Sequence, residues 1–240
     1  MKKDKLDEIL RRHQLWLKGL VVGLQADLRN EDLRDVNLRE ADLYGAILIG
    51  ANLRGVCLRH TDLGDVNLRW ADLREVDLRE ANLCGADLYR ANMSMAILSC
   101  AKLNRAKLNL ADMRGANLQE ATLIYANLRS VDLSEARLYR ADVSEANLSR
   151  ADLSKANFDL ANLSGANLSE ANMLNARLFA ANLRGANLYG AILRDANLVG
   201  ADLEGADLSG AELHGAKMLQ EDADKAALTD AQRDSITICE

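Results

Sequence analysis

The chain has 240 residues, is 49% hydrophobic but only 4% aromatic, contains no proline and carries a net charge of −6. Aromatic rings normally supply much of a core's buried area, so this composition excludes a conventional globular core, while abundant Leu and Ala exclude disorder. The missing proline implies that backbone N–H groups are used along nearly the whole chain; no apolar run approaches the roughly 18 residues that span a bilayer, no basic stripe for nucleic acid is evident, and the four cysteines lack the spacing of a disulfide framework or zinc site.

Met1-Lys2-Lys3-Asp4 leads into a charged amphipathic segment, which is not the pattern of a secretory signal. The spacing predicts a helix over residues 3–18, with Leu6, Ile9, Leu10, Trp16, Leu17 and Leu20 in one apolar stripe. His13 and Trp16 are expected to pack within it.

From Ala26 to Gln220 the chain is an unbroken train of 39 five-residue units of the form A-(D/N)-L-x-x. The first residue departs from Ala at Glu31, Val36, Val56, Thr61, Val66, Val76 and Val131, and the third departs from Leu at Met93, Met113, Val143, Phe158, Met173 and Met218. A period of five would spread leucines around every face of a helix and would flip them from side to side along one strand. Every Leu stays inside only if the chain bends once per unit. The first and third residues then point inward and the last two form a corner, which suits the glycines concentrated at the fifth position. Asp or Asn at the second position can hydrogen-bond nearby backbone and hold that turn. Val36, Val56 and Val76 recur at a spacing of 20, as do Arg34, Arg54, Arg74 and Arg39, Arg59, Arg79. Four units per coil predict a square cross-section and, at about 4.8 Å per stacked strand, a rod on the order of 47 Å long.

Units such as Ala161-Asn162-Leu163-Ser164-Gly165 and Ala201-Asp202-Leu203-Glu204-Gly205 resemble the pentapeptide repeat family. The resemblance implies an all-β solenoid: a right-handed quadrilateral parallel β-helix of about ten coils, here with a short N-terminal α-helical cap. Ile9-Leu10, His13 and Trp16-Leu17 are similar to the helix that precedes the repeats in some bacterial and phage members. The expected domains are residues 1–25 as helical cap, 26–220 as β-helix, and 221–240 as a C-terminal tail with a short helix.

Open coil ends expose unpaired strand edges and need covering. Glu31 is the one charged residue at an inward position and is expected to pair with Arg11 or Arg12, or to mark an imperfect first coil. Thr229-Asp230-Ala231-Gln232 has the form of a capping box opening a short helix, within a tail rich in acids (Glu221, Asp222, Asp224, Asp230, Asp234, Glu240). Phe179, Val199 and Leu219 stack at a spacing of 20 with Leu160 nearby. That exposed ladder is expected to meet the tail folding back or a second subunit in a homodimer through the C-terminal coils.

No nucleophile–base pair, metal cluster or cofactor motif is evident, so no catalytic, metal or cofactor residue is assigned and an enzyme is not expected. His13, His60 and His214 lie far apart in the rod, Cys57 and Cys100 about 10 Å apart, and Cys84 and Cys239 elsewhere. Four free thiols point to a reducing cytoplasm. In the first coils the arginine ladders interleave with Asp35, Glu40, Glu75 and Glu80, a charge-paired sheath. From Leu88 to Ala111 there is no acidic residue, while Arg90, Lys102, Arg105 and Lys107 are present. Here the second position becomes Ile97, Lys102 and Lys107, and Met95, Leu110, Ile124 and Tyr125 add outward apolar groups. These eight residues other than Arg90 form the partner-binding candidate; the alternative is local pairing of Lys107 over Asp87.

The expected function is a non-catalytic scaffold for an unidentified protein partner, without membrane or direct nucleic-acid binding. The resemblance adds another: some family members mimic DNA, bind DNA gyrase or topoisomerase IV, and protect against quinolones or other topoisomerase poisons. Asp112, Asp132 and Asp152 form an acidic ladder that suits mimicry. Against it, duplex DNA carries one charge per roughly 1.7 Å, whereas residues 26–220 hold 22 Lys/Arg against 27 Asp/Glu.

Overall fold

Within each unit, all five backbone N–H groups have a characteristic use. That of the first residue donates to the third residue of the preceding unit and closes a turn, as in Ala46 N–H to the Leu43 carbonyl at 2.9 Å. The second donates to the coil before, as in Ile47 to Ala26 at 2.9 Å; the third and fifth donate to the coil after, as in Leu48 to Asn67 at 2.8 Å and Gly50 to Arg69 at 2.9 Å. The fourth donates to the Oδ1 of its own unit's Asp or Asn, as in Tyr44 to Asp42 at 3.2 Å. The fifth residue has φ near +60°, as a type II turn requires at its third position. Glycine is not obligatory there: Glu40, Leu110 and Tyr125 adopt the same conformation, at about 1 kcal/mol or more each, so interlocked neighbours impose it. Proline would remove a used donor at any position of a unit that keeps the Asp or Asn, which accounts for its scarcity in such a chain.

The computed structural model describes residues 1–240 except Lys2, Asp35, Ala227 and Glu240; the Asp35 and Glu240 expectations therefore lie outside the described residues. Parallel bridges link second positions at a constant separation of 20, from Asp27↔Ile47 to Asn197↔Lys217. Four units per circuit define four faces, named here by their second residues: face 1 (Ile47, Asn67, Asp87, Lys107), face 2 (Asn52, Asp72, Asn92, Asp112), face 3 (Cys57, Asp77, Ile97, Asn117) and face 4 (Asp62, Asn82, Lys102, Thr122). The third-position side chains are buried, Phe158 among them, in one continuous core. Each contributes about 2 kcal/mol of transfer free energy.

The first helix, α1 (Lys3–Leu17), lies against the first coil. Leu6 is buried in the core, and Ile9 and Leu10 are packed on it. Leu20 is exposed beyond the helix end and does not join the stripe. Glu31 pairs with Lys5 at 2.6 Å, not with Arg11 or Arg12, because both arginines are engaged one helical turn back by Glu8. They hold the Glu8 carboxyl down to about 2.

Beyond the shaft, strand β1 (Lys217–Leu219) leads into helix α2 (Gln220–Lys225), helix α3 (Asp230–Ser235) and strand β2 (Thr237–Cys239). The capping box at Thr229 is present, with the Gln232 side chain returning to the Thr229 N–H at 3.0 Å. The five-residue pattern stops at Gln220, yet the circuit continues. β2 pairs in parallel with β1 in the register Lys217↔Thr237, again 20 residues apart. Side chains replace backbone on the way round. The Asp222 carboxylate accepts from Gly200 N–H at 3.0 Å, and Gln232 Nε2 donates to the carbonyls of Leu208 and Ala211 at 2.8 and 3.1 Å.

Candidate functional site

The partner-binding candidates separate into two groups. Lys102 on face 4, Arg105 at the next corner, Lys107 on face 1 and Leu110 at the corner after it occupy one continuous half-coil, with Ile124 and Tyr125 one coil further along the rod beside Arg105. Met95 and Ile97 sit on the opposite side, at the face 2–3 corner and on face 3; Met95 is exposed there and Ile97 half-buried. The bend that buries every Leu also turns residues five apart through a quarter circuit, so a stretch that is compact in sequence wraps around the rod.

Among the described residues, no carboxylate pairs with Lys102, Arg105 or Lys107. Lys107 does bridge Asp87 in the ladder, but the Asp87 carboxylate is taken by Arg69 at 3.4 Å, so the local pairing of Lys107 does not form. Elsewhere most arginines are neutralised. Among the described residues the sheath also draws on each unit's own acid: Arg34, Arg74 and Arg79 reach back two residues to Asp32, Asp72 and Asp77, each at 2.6 Å, while Arg54 and Arg59 use Glu75 and Glu80. Arg34 holds the Asp32 carboxyl down to about 2.

The departures at the second position have a second effect. With Ile97, Lys102 and Lys107 in place of Asp or Asn, the backbone N–H groups of Ser99, Asn104 and Asn109 lose the side-chain acceptor their counterparts have, and none has another partner among the described residues.

At the face 4–1 corner Asn104 and Arg105 line a groove of 480 Å³. Its floor follows the fourth positions Gly64, Cys84 and Asn104 and its ends are Tyr44 and Tyr125. Gly64 lets the Tyr44 ring lie close: a Cβ there would stand 2.9 Å from it, so a larger residue would displace the ring. Gly85 has φ +70° and leaves room for the Asp65 carboxylate, whose Oδ1 a Cβ would displace. The Tyr44 hydroxyl donates to Asp65 at 2.5 Å, and that bond raises the Tyr44 hydroxyl above the ordinary tyrosine range. Arg105, Ile124 and Tyr125 form the opposite wall.

Two groupings escaped the sequence reading. Arg69 lies 4.8 Å from the Trp70 ring and 4.7 Å from the Tyr89 ring at the face 1–2 corner, so face 1 is aromatic on both sides; aromatic residues 19 apart at corner positions are the available signal. Asp159 is buried at a fourth position, bonded to Arg177 and accepting from Phe179 N–H at 3.1 Å. Nothing in the repeat pattern marks that acid.

The C-terminal ladder is only partly occupied. Leu160 and Phe179 are exposed, Val199 and Leu219 half-buried. The tail's hydrogen bonds go to the last coil, at Gly200, Leu208, Ala211 and Gly215. His13 is fully buried, accepting from Ala26 N–H at 3.1 Å and stacked on Trp16. Burial lowers the His13 pKa, with Asp42 and the Tyr44 backbone opposing. His60 faces Glu80 on the surface. All four cysteines are free, and partial desolvation together with the nearby Glu120 and Glu80 carboxylates pushes the exposed Cys100 thiol up, away from nucleophilic character. Among the described residues no group of three His, Cys, Asp or Glu could hold a metal ion, and no helix is long and apolar enough to cross a membrane.

The model of the pentapeptide repeats matches in 8 copies, in overlapping stretches from residues 26–65 through 186–218. Among solved structures the chain is similar to HetL, a pentapeptide repeat protein involved in heterocyst differentiation regulation from the cyanobacterium Nostoc sp. strain PCC 7120, at 38% identity over 80% of this chain and 89% of that one, with a TM-score of 0.40. It is also similar to full-length QnrB1, a plasmid-mediated fluoroquinolone resistance protein, at 19% identity over 82% and 93%, with a TM-score of 0.45. No curated protein sequence matches the chain. The match of the repeat model over most of the shaft shows that the chain belongs to the pentapeptide repeat family.

Proposed function

We propose that this chain is a non-catalytic, rigid scaffold for protein–protein interaction in the cytoplasm. Residues 26–220 serve as a right-handed β-helix of about ten coils, residues 1–25 as its helical cap, and residues 221–240 as its closing tail. The observation that carries this reading is the half-coil from Lys102 to Leu110 with Ile124 and Tyr125 beside it. Cations without carboxylate partners stand there next to exposed apolar groups, on a shaft whose charges are otherwise mostly paired. Tyrosine, arginine and apolar groups held together are the composition of interaction hot spots. The interlocked coils hold them without loop ordering, which lowers the entropic cost of binding. The test is affinity capture from the native cell with wild type and with the triple variant Lys102→Glu, Arg105→Glu, Lys107→Glu. Proteins captured by wild type and lost from the variant support the reading; identical capture removes this surface.

A DNA mimic that binds gyrase or topoisomerase IV is the second reading, favoured by the stacking of Asp112, Asp132 and Asp152 on face 2. Arg114 weakens it by reaching Asp112 at 2.6 Å and Asp132 at 3.6 Å. Absence of both gyrase inhibition and drug protection at micromolar protein in a supercoiling assay eliminates it. A homodimer through Leu160 and Phe179 predicts that Phe179→Asp halves the solution mass; an unchanged mass excludes that contact.

A further inference from the structure

We infer that the face 4–1 groove is a carboxylate-reading site for an extended acidic segment of a partner protein, with the ligand carboxylate held by the Arg105 guanidinium and the Asn104 backbone N–H. The inference rests on the scaffold reading and specifies its ligand.

The geometry sets the ligand's length. Tyr44, Gly64, Cys84, Asn104 and Ile124 follow one another at the same corner in successive coils, four steps of about 4.8 Å, or about 19 Å. An extended chain rises about 3.3 Å per residue, so roughly six residues fill the groove.

The chemistry sets its charge. In an ordinary unit the fourth N–H is satisfied by the second residue's Oδ1, as Cys84 N–H is by Asn82 at 3.2 Å. Lys102 supplies no such acceptor, so Asn104 N–H is left open in the groove beside an unpaired guanidinium. A carboxylate oxygen from outside fits the place of the missing one, and hydrogen bonds to charged groups are the stronger kind. Ile124 and Tyr125 offer an apolar wall for a neighbouring side chain.

The same groove selects against nucleic acid. Asp65 lies two coils from Arg105, about 10 Å away, and would repel a polyanion charged at every residue. The ligand therefore carries its acid at the Arg105 end only. It also cannot join as an added strand: the interior corners have their fifth-position N–H groups bonded to the next coil, such as Gly85 to Asn104 at 2.9 Å and Arg105 to Ile124 at 2.9 Å. Recognition falls to side chains and the one open N–H.

The test selects a random seven-residue display library on the full chain and titrates the best synthetic peptide. Expected are sequences with Asp or Glu beside an apolar residue, binding at least tenfold weaker to Arg105→Glu. The decisive variant is Lys102→Asn, which restores the acceptor and closes Asn104 N–H. It should also weaken binding at least tenfold while raising thermal stability, whereas Lys102→Ala, which removes the same charge without an acceptor, should change it less than threefold. Failure to enrich any peptide, enrichment without an acid, wild-type affinity in Lys102→Asn, or tighter binding of a seven-nucleotide oligothymidine overturns the inference. The scaffold reading fails separately, when wild type captures no protein from its cell.

Discussion

The two ends of the rod are closed by different physics. At the start, α1 lays an apolar side on the first coil, burying Leu6 and His13 and packing Ile9 and Leu10 on the core. At the finish, the tail buries only the small apolar side chains of Ala223 and Ala226, with Leu228 and Ile236 packed on the core, and in addition imitates the missing coil. β2 takes the register of a further face, and Asp222 and Gln232 stand in for a carbonyl and an N–H. The first closure relies on water's exclusion of apolar surface. The second adds to a smaller apolar contact the pairing of backbone groups that would otherwise be buried unpaired, a penalty of about 1–3 kcal/mol each. A lid can cover an edge without matching it, whereas a mimic must keep step with it, and the tail does so by returning to face 3 after 20 residues.

The largest effect should separate these mechanisms most clearly. Leu6→Ala removes the buried anchor of α1 and should cost about 3 kcal/mol, read as a loss of helical signal and earlier thermal unfolding while β2 stays protected from hydrogen exchange. Next, Thr237→Pro deletes the N–H that donates to Ala216 at 2.7 Å and should cost about 2 kcal/mol. The comparison breaks if it behaves like Ser99→Pro, where no backbone bond is lost and the change should stay within about 0.5 kcal/mol. Gln232→Ala leaves the carbonyls of Leu208 and Ala211 without this donor and should cost about 1–2 kcal/mol, visible as faster tail proteolysis. The smallest effect is confined to the first end and depends on pH. Burial lowers the His13 pKa in the folded protein, so the unfolded chain takes up the proton first as pH falls. The stability His13 contributes is complete above its ordinary value near 6.5 and is lost below it as pH falls through the folded value. The protection factor of the Ala26 amide, its exchange rate relative to the intrinsic rate at the same pH, should fall from pH 7.5 to pH 5, and His13→Gln should remove that dependence.

Much of the shaft was legible because one rule governs every unit. The pitch appears in Val36, Val56 and Val76, the inward set in Ala and Leu, and the corner bonds in the recurring Asp and Asn. The tail's register was hidden because helices α2 and α3 carry the chain around the last circuit without any A-(D/N)-L signature, although Lys217 and Thr237 do lie 20 apart. The Glu31 partner was missed because the helix phase relative to the first coil depends on packing, which brings Lys5 rather than Arg11 to it. In the candidate site, the unusual second positions were visible, but what they release was not. Only the observed hydrogen bonds show that Lys102 leaves Asn104 N–H open, and only the stacking shows that Gly64 makes room for Tyr44. Met95 and Ile97 joined the candidate through proximity in sequence, which the quarter-turn per unit undoes.

The constant separation of 20 between bridged residues makes the molecule tolerant of some changes in length and intolerant of others. Inserting 20 residues of matching pattern adds a storey of about 4.8 Å and leaves every downstream side chain above its old neighbours. Inserting five keeps each Leu inside but rotates everything beyond it by a quarter turn, carrying Ile124 and Tyr125 away from Arg105 if it falls between them. Such a variant would fold and yet have its groove dismantled, so stability and recognition in this rod can be edited independently by the arithmetic of its length.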